Sequence, residues 1–128
     1  MTKIQDIIPL LACANIPAEH DFLVKVFGFE PGHIERDEQG QPHHGEVYAG
    51  NLTIWLHRIM PDNGNIPPHA WKSGLVVHVA DVDAHYAHVK AAGASIESQP
   101  DDQPYGQREY GVRDPEGHVW WFATRFEK

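Results

Sequence analysis

The chain repeats itself. Asn15-Ile16-Pro17-Ala18 matches Asp81-Val82-Asp83-Ala84, and Lys25-Val26-Phe27-Gly28 matches Lys90-Ala91-Ala92-Gly93, with one residue gained or lost between them. Further along, the turn signal Gly50-Asn51 matches Asp114-Pro115-Glu116-Gly117, and Leu52-Thr53-Ile54-Trp55-Leu56 lies against His118-Val119-Trp120-Trp121-Phe122. Two halves of about 60 residues therefore carry one supersecondary pattern, and a position in one half has a symmetry mate in the other.

The pattern within each half is strand, helix, then three strands. In the first half an apolar stretch, Ile7 to Cys13, predicts a strand. Asn15 is placed to cap a helix with Pro17 in its first turn and Gly28 at its end. Strands are predicted over 33–36, 45–49 and 52–57, the last two joined at Gly50-Asn51. In the second half a strand runs from Leu75 to Val79, and Asp81 or Asp83 caps a helix that Gly93 ends. Strands follow over 95–99, 107–113 and 118–124. Between the halves, Pro61-Asp62-Asn63-Gly64-Asn65-Ile66-Pro67-Pro68 is rich in turn formers. The organisation is one domain over 1–128: module 1 at about 1–57, a connector at 58–73, and module 2 at about 74–128.

Composition narrows the functions open to such a chain. At 128 residues and 41% hydrophobic content, one domain with a real core is expected. A formal net charge of −8 argues against nucleic acid as a partner, because phosphate contacts need a basic face. It suits solubility, and equally a cationic ligand. No apolar run is long enough to span a membrane, and Met1 to Asp6 lacks a signal-peptide pattern, so a cytoplasmic setting is expected. Cys13 is the only cysteine, which leaves no intrachain disulfide. The ten histidines are scattered, and neither His43-His44 nor the His85/His88 pair has the spacing of a strong zinc signature.

The hairpin Tyr105 to Phe122, with its Asp-Pro-Glu-Gly turn, resembles the closing hairpin of the vicinal oxygen chelate superfamily. That superfamily holds glyoxalase I, extradiol dioxygenases and bleomycin-resistance proteins. Together with the repeat, the resemblance covers essentially the whole chain, and Asp81 to Ala87 with Tyr105 to Phe122 look most like bleomycin-resistance-like and PhnB-like members. It implies an α+β fold: two tandem βαβββ modules forming a curled mixed sheet around a cleft, with helices on the opposite face. It also implies a homodimer, since chains of that family pair with the cleft at or near the interface.

In glyoxalase-type relatives, one residue on the first and last strand of each half binds a metal ion. The resemblance places these positions at Ile8, Trp55, Leu75 and Trp121, and none of the four side chains can ligate a divalent cation. No metal, cofactor or catalytic residue is therefore expected in the family's usual site. Two indoles stand where carboxylates would be, and the expected cleft is apolar and aromatic. Indole faces stack on rings and attract cations, at about 0.5–2 kcal/mol per contact. The expected ligand-binding set is Trp55, Trp121, His57 beside Trp55, Trp71 in the connector, Tyr105, and Arg108 as a polar contact. His78, three residues from Leu75, is expected to point away from the cleft.

Three functional readings follow. The first is a metal-free protein of bleomycin-resistance type that sequesters a bulky aromatic or cationic compound. The second is a metal-dependent lyase, isomerase or dioxygenase with a relocated site, for which His44, Glu46 and His57 are the available ligands. The third is a dimer whose cleft is plugged by its own tryptophans.

Overall fold

The computed structural model describes residues 2–58 and 74–126. Module 1 runs β1 (Leu10–Cys13), α1 (Ile16–Lys25), β2 (Glu30–Arg36), β3 (Pro42–Ala49) and β4 (Leu52–Arg58). Module 2 runs β5 (Leu75–His78), α2 (Val82–Ala91), β6 (Ser95–Gln103), β7 (Gln107–Arg113) and β8 (Val119–Arg125). The sheets are ordered β1-β4-β3-β2 and β5-β8-β7-β6, so the repeat read in the sequence is a repeat of topology. Each sheet has one parallel pair, β1 with β4 and β5 with β8, and is otherwise antiparallel. This is the expected α+β architecture of two βαβββ modules; the sheets stay separate and do not close into a barrel.

The helices start where the sequence says. Asn15 Oδ1 accepts from the Ala18 amide and Asp81 Oδ1 from the Ala84 amide, both at 3.1 Å, which makes Asp81 and not Asp83 the second cap. Both helices are ten residues long and end two to three residues before the glycine. Gly28 and Gly93 lie in the following turn at φ near +89° and +85°. β1 is shorter than expected, because Ile7 to Pro9 precede it and Ile7 is exposed. β6 is longer, reaching Gln103 through Pro100, and an edge strand tolerates that proline.

One face of each sheet carries the core. Leu11, Cys13, Val47, Ile54 and Leu56 from the first sheet and Tyr110, Val112, Trp120 and Phe122 from the second are buried with Leu23, Val82 and Val89 of the helices. Phe27 joins the halves: its ring meets Trp120 edge-on at 5.4 Å and Phe122 at 4.9 Å. Trp120 is thus core, packed against module 1. No helix among the described residues is long and apolar enough to cross a membrane.

Candidate functional site

The helix-free faces follow from strand register. In the first sheet Trp55 lies opposite Leu10 on β1 and Glu46 on β3, and His57 lies opposite Ala12 and His44. Residues paired in register point to one side, so Leu10, His44, Glu46, Trp55 and His57 share a face. Trp55 is 38% exposed and its ring meets His44 edge-on at 5.3 Å. In the second sheet Trp121 lies opposite Val76 on β5 and Gly111 on β7. A Cβ on Gly111 would sit 2.7 Å from Trp121 Cζ3, so the indole lies across the bare glycine backbone.

That register corrects one expectation. Leu75 pairs with Trp120 and packs against the core, while Val76 and His78 share the face of Trp121. His78 therefore points toward the helix-free face, where its Nε2 is 2.9 Å from Gln107 Oε1. Leu75-Val76-Val77 is apolar on both faces, and the sequence offers no alternation from which its parity can be read. The position opposite Trp121 remains a non-ligand all the same, since valine replaces leucine.

The other expected site residues divide. Tyr105, in the turn between β6 and β7, is exposed, and its hydroxyl donates to the Glu109 carboxylate, which raises the phenol's pKa above the usual value. Glu109 pairs with Ala123 and so stands on the Trp121 face. Arg108 turns the other way. It binds Asp102 and, on α2, Asp83, each at 3.1 Å, and these carboxylates hold its guanidinium in the charged form. It is thus not gathered with Trp121. Trp71 lies outside the described residues. His44, Glu46 and His57 share a face, but among the described residues they do not bring ligand atoms within 4.8 Å of one another.

Two hollows stand out among the described residues. The larger, about 710 Å³, lies between the modules and is lined mostly by apolar residues, among them Phe27, Phe29, Ile54, Leu75, Val77 and Phe122. It touches neither Trp55 nor Trp121, whereas the expected cleft would have. The smaller, about 490 Å³, lies against Trp121 and is walled by Ser98, Gln99, Pro100, Asp101, Gln103 and Glu109. Here an indole meets two carboxylates. Asp101 and Gln103 sit on an edge strand whose register slips at Ser98, which sequence periodicity does not reveal.

The profile of the Glyoxalase/Bleomycin resistance protein/Dioxygenase superfamily matches residues 6–122. The chain belongs to this superfamily. Among curated proteins, an uncharacterised protein of Mycobacterium bovis is 29% identical over 119 residues, covering 88% of this chain and 78% of the relative. Among solved structures, TioX from Micromonospora sp. ML1 superposes with a TM-score of 0.76 at 31% identity, over 95% of this chain and 99% of TioX. The bleomycin-binding protein of bleomycin-producing Streptomyces verticillus, complexed with copper(II)-bleomycin, superposes with a TM-score of 0.67 at 25% identity, over 99% of this chain and 100% of that one. Superfamily membership and two tryptophans at symmetry-related, helix-free positions together define the candidate site.

Proposed function

We propose that this superfamily member binds and sequesters, without transforming it, a bulky small molecule that is aromatic and cationic. The observation that carries this reading is the hollow against Trp121, where Asp101 and Glu109 stand beside an indole face. A ring stacks on the indole and a positive charge meets the carboxylates. On the other sheet Glu46 lies directly opposite Trp55. The net charge of −8 draws a cation from solution. The likeness to the bleomycin-binding protein supports a ligand of antibiotic type and a role in antibiotic resistance.

The working form is a homodimer in the cytoplasm. Leu10 is 58% and Val76 55% exposed on the faces that carry Trp55 and Trp121. A second copy that covers these apolar side chains turns open faces into enclosed clefts, with Tyr105 at the rim and His57 beside Trp55.

Fluorescence titration tests the proposal in protein whose sedimentation identifies a folded dimer. Bleomycin or simpler cationic aromatic compounds should quench the emission. Trp121→Phe and Trp55→Phe should each remove part of the quenching, and Trp121→Ala should weaken binding about tenfold, the equivalent of roughly 1.4 kcal/mol. A folded dimer in which none of these compounds changes the emission would mean that the tryptophans plug the cleft, and the reading would fail.

A further inference from the structure

The helix-bearing side of the fold holds a group that neither the core nor the proposed ligand site uses. Glu19, on α1, has no exposed surface, and neither of its carboxylate oxygens meets a hydrogen-bond donor. Its surroundings add charge of the same sign. Asp114 and Glu116 both bear on it, and Glu19, Glu116 and Asp114 bear in turn on Cys13. Leaving a buried charge without a counter-charge costs several kcal/mol.

We propose that Cys13, Glu19 and His118 form a buried site for a divalent metal ion of the zinc type, at the seam between the two modules. The Cys13 sulfur, a Glu19 oxygen and a His118 ring nitrogen all lie within 4.8 Å of one another, and all three residues are buried. Zinc bonds are about 2.3 Å to sulfur and about 2.1 Å to nitrogen or oxygen, so closing on one ion needs shifts of about an ångström. Thiolate, carboxylate and neutral imidazole sum to −2, which a dication cancels. A proton on Glu19, shared with Asp114, is the competing solution; the Cys13 thiol then keeps its bond to the Leu11 carbonyl at 3.5 Å.

The residues around the trio hold it in place. His118 Nε2 donates to the Ala12 carbonyl at 2.9 Å, the kind of outer bond that orients a ligating imidazole. Asp114 Oδ1 accepts from the His118 amide at 3.0 Å, and Oδ2 from the Trp120 indole at 2.8 Å. The site lies on the helix side of the sheets, away from the faces of Trp55 and Trp121. A thiolate and an imidazole favour zinc or cobalt over magnesium or calcium. Cys13 and Glu19 come from module 1 and His118 from module 2, so the ion would fasten one module to the other.

Cobalt(II) as a probe decides the matter, because Cys13 is the only cysteine and a sulfur-to-cobalt charge-transfer band can come from nowhere else. Tag-free protein is refolded with one equivalent of cobalt(II). The expected result is a near-ultraviolet charge-transfer band with tetrahedral visible bands, displaced by zinc, together with a Tm several degrees above that of chelator-treated protein. Cys13→Ser should lose the charge-transfer band, and Glu19→Gln should lose or weaken the tetrahedral bands. Cobalt bound only at other histidines gives no thiolate charge-transfer band. Refolded wild-type protein without the thiolate band, or with a Tm that metal leaves unchanged, overturns the proposal and leaves the shared proton as the occupant.

Discussion

Gly111 and Trp121 show how a single hydrogen decides what a site can present. With no Cβ at position 111, the indole lies flat across β7 and offers its outer face to the hollow. Gly111→Ala places a methyl 2.7 Å from the ring and forces the indole to swing out. Position 111 has no positive φ, and its amide bond to Ser98 Oγ survives, so the fold tolerates the change. Binding of a cationic aromatic should weaken about tenfold while the unfolding free energy changes by less than about 1 kcal/mol; titration and urea denaturation of one preparation check both. The pairing of Trp55 with Trp121 was legible from the repeat alone. Glu19 was not, because a glutamate on a helix reads as surface. The signal existed nonetheless: Ile16, Glu19, His20 and Leu23 fall at i, i+3, i+4 and i+7, which is the buried stripe of α1.

Helix α1 depends on an element from the other half of the chain. Glu116, in the turn between β7 and β8, accepts from the amides of Ala14 at 2.9 Å and Asn15 at 2.7 Å, just before the helix begins. A carboxylate there also meets the positive end of the helix dipole. Glu116→Ala should cost about 1–2 kcal/mol, and Glu116→Gln less, measured as the shift of the urea midpoint at constant slope. The Asp-Pro-Glu-Gly turn was legible as a turn from Pro and Gly, and Gly117 does take a φ near +88°. Its glutamate reads only as an exposed turn residue, since its partners lie about a hundred positions away and no local rule connects them.

At the scale of the molecule, His85 ties α2 to module 1. Its Nε2–H donates to the Phe27 carbonyl at 2.9 Å, leaving Nδ1 to accept from the Tyr110 hydroxyl at 2.7 Å. The bond from Tyr110 needs the neutral ring; burial lowers the ring's pKa, the Phe27 bond works against that shift, and the nearby His88 adds to it. The folded state then binds fewer protons than the unfolded one, so this stabilisation is full above about pH 6.5 and is lost as pH falls through the lower, folded-state value. The wild-type urea midpoint should fall more steeply from pH 7 to pH 5 than that of His85→Gln; equal slopes would remove His85 from the account. The seam has a further property. His85 reaches the Phe27 carbonyl, His118 the Ala12 carbonyl, and Glu116 the amides of Ala14 and Asn15. In each case a side chain of module 2 meets the bare backbone of module 1. A backbone receptor is specified by shape and survives almost any change of side chain. Such substitutions in module 1 leave these bonds standing, while a single change at position 85, 116 or 118 removes one. The two halves share a topology but not a mutational burden: the first is free to vary the helix-free face around Trp55, and the second carries the instructions for holding the pair together.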